Sequence, residues 1–159
     1  MVPKRYSSHD DLPELSIEEA CDLLKVHSMT LEDANDPRLD TSLLLSFRGW
    51  SSQPRWESFH EVMACIKALG PVWSSNDRVQ RGPIGDLWGI LSSGYGYVRD
   101  ANKEKHRLQK PSLQPDMSVE EWWLECIGYA VGIYLQFDDA EEAFTPYNDL
   151  MQQCVKRSV

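Results

Sequence analysis

Glu57, His60 and Glu61 are the residues of this 159-residue chain whose types and spacing come nearest to catalysis. His60-Glu61 opens like the zinc-protease motif H-E-x-x-H, but the position of the second imidazole holds Ala64, so the ligand pair is missing. Glu57-x-x-His60 matches one half of a di-iron carboxylate site, which needs a second E-x-x-H on another helix. The residues three positions before His9, His27 and His106 are Tyr6, Leu24 and Lys103, so no second half exists. Cys65 follows His60 by five residues, which on a helix turns the two side chains about 140° apart. A base must reach the sulfur and be oriented by a third group, and that geometry denies it. Gly94-x-Gly96-x-x-Arg99 lacks the third glycine of a dinucleotide loop and continues a helical pattern instead of following a strand. The chain therefore predicts no cofactor, no metal site and no assembled catalytic set. An enzyme reading would have to rest on the Glu57, His60 and Glu61 neighbourhood.

Binding chemistry is better represented, because charge is segregated. The net charge is −9, with 25 acidic against 16 basic residues. Residues 10–40 carry −8, residues 41–115 carry +4, and residues 116–149 carry −9 with no base among them. The basic stretch Arg99, Lys103, Lys105, Arg107 and Lys110, with Tyr95 and Tyr97 just before it, has the cations and stacking rings of a single-strand nucleic-acid binder. Its two acidic flanks oppose a phosphate backbone, whose affinity comes from cations displacing counterions. Nucleic acid is not expected as a partner; a basic protein is.

The elements that must position these groups read as helices. Ser16-Ile17-Glu18-Glu19 and Ser118-Val119-Glu120-Glu121 are capping boxes, in which hydroxyl and carboxylate satisfy each other's backbone amides. The first opens a helix to about His27 with Ile17, Ala20, Cys21 and Leu24 on one face. Asp36-Pro37 starts a second, with Leu39, Leu43, Leu44 and Phe47. Pro54 starts a third, with Trp56, Phe59, Val62, Met63, Ile66 and Leu69, stopped by Gly70-Pro71. Pro83 starts a fourth through Ile84, Leu87, Trp88, Leu91, Tyr95 and Val98. The fifth, residues 118–136, is apolar on every side from Cys126 to Leu135, as a covered central helix would be. Asp138 with Glu141 caps a sixth segment, and Pro146 kinks it or opens a seventh carrying Tyr147, Leu150, Met151 and Cys154. Gly85 with Gly89, and Gly128 with Gly132, sit one turn apart, where small residues let helix backbones approach.

The expected fold is all-α: a single compact domain of six or seven helices, residues 15–157, packed around that fifth helix. Residues 1–14 are expected as a flexible polar arm, and residues 100–116 as a basic loop. Cys21, Cys65, Cys126 and Cys154 each fall among apolar residues at helical spacing, with no metal-ligand spacing between any two, and read as four core thiols of a cytoplasmic protein. No secretory leader and no membrane span are expected, the longest apolar run being the ten residues from Cys126 to Leu135. The function expected is protein–protein binding, most specifically as an immunity or antitoxin-like inhibitor of a toxin or effector with a basic cleft. Its binding residues would be Glu120, Glu121, Glu125, Asp138, Asp139, Glu141 and Glu142. A structural or adaptor subunit is the other non-enzymatic class, and would show an exposed apolar patch.

Overall fold

The computed structural model describes residues 6–48, 55–75, 79–100 and 117–156, so the Pro54 start and all but the first residue of the basic stretch 100–116 fall outside the described residues. Within them the secondary structure is helical: α1 (Ile17–Ser28), α2 (Leu43–Phe47), α3 (Trp56–Ser75), α4 (Arg81–Asp100), α5 (Val119–Gln136), α6 (Ala140–Ala143) and α7 (Thr145–Lys156). These elements form one all-α arrangement, and none of the described helices is long and apolar enough to cross a membrane. Both capping boxes are in place: Ser16 and Glu19 close on each other at the start of α1, as do Ser118 and Glu121 at the start of α5. Asp36 caps a short 3-10 helix, Pro37–Thr41, and Ser42 then caps α2 separately, so the expected second helix is divided by its own serine.

Packing is organised by α3, which meets α1 on one side and α5 on another, while α4 lies against α1, α2 and α5. The core is aromatic where these elements converge. Phe59 of α3 stacks on Trp123 of α5, with centroids 5.0 Å apart and planes 9° from parallel. Trp56 meets the same indole edge-on at 5.0 Å, and Tyr147 of α7 approaches Phe59 at 5.7 Å. α1 is tied to α4 by polar contacts: Ser28 and Thr30 hydroxyls both donate to Asp86 Oδ1, at 2.9 and 2.7 Å. His27 is buried, its Nδ1 accepts the Leu43 amide at 3.2 Å, and its Nε2 lies 3.1 Å from Glu61 Oε2, which joins α1, α2 and α3.

Four expectations are corrected. Residues 6–14 are not a free arm. His9 lies in a 3-10 helix, its backbone amide donates to Asn148 Oδ1 at 2.7 Å and its ring stacks on Phe144 at 4.9 Å. Leu12 is buried, and Glu14 pairs with Lys67 at 2.6 Å. Gly70-Pro71 does not stop α3, which continues to Ser75. Proline withdraws one ladder donor, but the last turn buries Trp73, and the Ser74 hydroxyl donates to the Gly70 and Tyr134 carbonyls at 2.9 and 3.3 Å. The paired glycines are not points of close helix approach: a Cβ at Gly85, Gly89 or Gly132 would meet nothing within 4 Å, and one at Gly128 only ordinary contact with Leu91. Close approach occurs instead at Gly70, where a Cβ would sit 2.4 Å from the Tyr134 ring, and at Gly94, where it would sit 2.8 Å from Leu124. Finally, Cys65, Cys126 and Cys154 are buried, but Cys21 is only half-buried.

α5 holds the interior position expected of it, touching α3, α4, α6 and α7. It is not covered all round, however: Tyr129 and Leu135 are about two-fifths exposed, at 40% and 43%.

Two outcomes follow from this packing. Gly70→Ala should destabilise by about 1–3 kcal/mol through overpacking against Tyr134, whereas Gly132→Ala should stabilise by about 0.4–1 kcal/mol through helix propensity alone; urea unfolding of the two variants reads both signs. Burial raises the Cys21, Cys65 and Cys126 thiols above their ordinary range. Maleimide labelling followed by mass spectrometry should therefore modify Cys21 slowly in the native protein and the other three only after unfolding. Native labelling of Cys126 at the rate of Cys21 would contradict the packing.

Candidate functional site

The residues nearest to catalysis do not converge. His60 is buried among Tyr6, Trp56, Phe59 and Tyr147, with its Nδ1 2.9 Å from the Tyr147 hydroxyl. Burial pushes its imidazole down to about 4, so it is neutral at physiological pH. Glu57, one turn before His60, is exposed, and Glu61 is engaged with His27. The place left for an enzyme reading thus holds a core histidine and two carboxylates with separate surroundings. Among the described residues no group of His, Cys, Asp and Glu is arranged to hold a metal ion.

The seven acids expected to bind a partner are spread over different roles. Glu120, in the first turn of α5, is 3% exposed, and burial pushes its carboxyl up to about 7. Glu121 is the capping-box partner of Ser118. Glu125 is exposed and accepts the Tyr95 hydroxyl of α4 at 2.8 Å. Asp138 has a left-handed backbone, φ 50°, and it is Asp139, not Asp138, that caps α6 by accepting the Glu142 amide at 3.0 Å. Glu142 in turn accepts the Tyr129 hydroxyl, which raises that phenol. Glu141 is exposed, and its backbone carbonyl accepts the Thr145 hydroxyl at 3.2 Å. Glu120 is therefore no surface residue, and Asp139, Glu121 and Glu142 are occupied in holding local structure.

The open side of α5 supplies what the sequence did not single out. Trp122, Glu125 and Tyr129 lie on one row of the helix and face Thr145, Pro146, Asp149 and Gln153 of α7, with Met117 at the end. Between the two rows runs a groove of about 310 Å³. Trp122 and Tyr129 read in the sequence as core because they share helical spacing with Cys126. The available signal was Glu125: a carboxylate three residues from one ring and four from the other marks that row as facing water. Asp149, one turn beyond Pro146, carries the matching charge on α7. Burial raises the Cys126 thiol, and the Glu125 and Asp149 carboxylates add to that shift. Aromatic walls beside carboxylates suit a cation with an apolar stem.

Comparison of the chain with protein-family models, with curated proteins and with solved structures finds no match in any of the three.

The buried Glu120 makes stability depend on pH in a defined direction. Its folded value is raised above the unfolded one, so the folded state holds this proton more tightly. Below about pH 4.5 the carboxyl is neutral in both states and no penalty applies; as pH rises through about 7 the native protein must carry a buried charge. Glu120→Gln should therefore gain stability relative to wild type progressively between pH 5 and pH 8, on the order of 3 kcal/mol across that range, in urea titrations repeated at each pH. A difference that stays constant with pH would mean the carboxyl ionises as it does in water.

Proposed function

We propose that this protein works by binding another protein in the cytoplasm, as an inhibitor of the immunity or antitoxin type whose α5–α7 face docks on a basic partner. The observation that carries this reading is the composition of that face. Tyr129, Leu135 and Phe137 are exposed along α5 and its C-terminus, Phe137 by 67%, and the span from residue 117 to residue 149 adds Glu125, Asp138, Glu141, Glu142 and Asp149 and no base. Apolar contact ringed by polar residues is the usual anatomy of a protein interface. Carboxylates around it would occupy a basic cleft as phosphates do, exclude like-charged partners and steer association. The four free cysteines fit a reducing compartment.

A second reading, as an adaptor subunit, is favoured by one observation elsewhere. Trp88 of α4 is 69% exposed beside Gly85 and Gly89, whose flanks are open. If that surface carries the function, Trp88→Ala abolishes capture of the partner and charge reversal on α7 does not.

The structure changes which substitutions probe the leading reading. Asp139 and Glu142 hold α6 together, so reversing them would damage the fold; Glu141 and Asp149 are exposed and are the cleaner pair. Glu141→Lys with Asp149→Lys should change stability by no more than about 0.5 kcal/mol, yet weaken binding of a partner captured from native lysate by roughly a hundredfold or more. The wild-type association rate on that partner should fall as salt shortens the Debye length from about 10 Å at 0.1 M to about 3 Å at 1 M. Equal affinity of the reversed variant would reduce the face to a solubilising surface.

A further inference from the structure

We propose that the groove between α5 and α7 is the seat of an arginine side chain projected by the basic partner, an assignment that rests on the partner-binding reading above. A volume of about 310 Å³ between two helices takes one long side chain and not a folded segment. Its walls include the Trp122 and Tyr129 rings and Pro146, and its charged groups are Glu125 and Asp149.

The chemistry of the walls selects guanidinium. A planar, weakly hydrated cation stacks on aromatic faces and meets carboxylates through paired N–H donors, whereas an ammonium is a compact and strongly hydrated point charge. Glu125 lines the groove, and its Oε1 accepts the Tyr95 hydroxyl of α4 at 2.8 Å, which restrains the carboxylate and leaves Oε2 for a second donor. Neither Glu125 nor Asp149 forms an ion pair among the described residues, and no Lys or Arg occurs from residue 111 to residue 155. Gln153 lines the groove together with Asp149 and adds a neutral amide to its wall, and a guanidinium brings five N–H donors to acceptors of this kind.

The test is a titration of the purified protein, at low salt, with N-acetylargininamide, N-acetyllysinamide and N-acetylleucinamide, followed by amide and indole proton–nitrogen spectra. Trp122→Phe identifies the Trp122 indole signal among the six tryptophans. The arginine probe should shift the Trp122 indole and the amides of Glu125, Tyr129 and Asp149 with millimolar affinity. Glu125→Gln with Asp149→Asn, which keep side-chain shape at exposed positions, should weaken that response roughly tenfold while leaving the rest of the spectrum unchanged. The leucine probe should leave these signals in place. Equal or tighter binding of the lysine probe overturns the guanidinium assignment. A matching response to the leucine probe shows an apolar groove and overturns the cation site, and so does silence from the arginine probe. Deleting residues 103–110 decides whether the chain's own Arg107 fills the groove: a deletion that creates arginine-probe binding missing from the full chain assigns the seat to this chain and overturns a partner's arginine. Because these measurements need no partner, they fail separately from the partner reading, which stands or falls on Glu141→Lys with Asp149→Lys.

Discussion

The stack of Phe59 on Trp123 is the contact on which the other helices depend. An offset aromatic pair is worth about 0.5–1.5 kcal/mol beyond the area it buries, but its larger effect here is geometric. Trp123 is fully buried and receives Trp56 edge-on and Phe47 at 6.5 Å, so one indole touches side chains from α2 and α3 while belonging to α5. Phe59 passes the arrangement on to Tyr147 of α7, and Tyr147 to Phe144, on which His9 stacks. Rings in contact thus run from His9 through Phe144 and Tyr147 to α3, α5 and α2. Interiors packed this closely do not tolerate a shifted partner, which is why Gly70 and Gly94 must stay without side chains where Tyr134, Leu124 and Phe47 crowd in.

How much of this was legible in the sequence depends on range. Local signals were sufficient where the structure is local: Ser16 and Ser118 cap the helices they announce, and Pro146 lies in the first turn of α7. They failed where a distant residue decides. Gly70-Pro71 is an ordinary stop signal, but Tyr134 and Trp73 hold the helix open for another turn. The His9 to Leu12 stretch has no periodicity, because its attachment is a bond to Asn148 and a ring on Phe144, more than a hundred residues away. Glycine spacing misled for the same reason: four apart is a feature of one helix, and close approach needs a second. The acidic residues were legible as a composition and not as a surface, since burial of Glu120 and capping by Asp139 are decided by what packs beside them.

The groove shows how one excess of apolar residues can be read two ways. A helix hydrophobic on every side is read as covered on every side. α5 is covered by α3 and α4 along Trp123, Leu124, Ile127 and Val131, and its remaining row is left to meet α7 only in part. The short α6 and the Phe144 link set α7 off from that row, and the gap between the two helices is the groove. Groove wall and core are therefore neighbouring stripes of one helix, and Cys126 is the residue between them.

The base-free span has a consequence for the fold itself. Arg38 pairs with Asp22 and Asp36, Lys67 with Glu14, and His9 and His27 lie beside Asp10 and Glu61, and each of these contacts joins groups outside residues 117–149. Between the residues of α5, α6 and the start of α7 themselves, every interaction between formal charges is a repulsion, offset by ring contacts and by hydrogen bonds that Glu121, Asp139 and Glu142 accept. Added electrolyte relaxes that internal pressure as it screens the exposed carboxylates. The same ionic strength weakens the exposed pairs of Arg38 with Asp22 and Asp36 and of Lys67 with Glu14, so salt acts with opposite sign on the two ends of the fold.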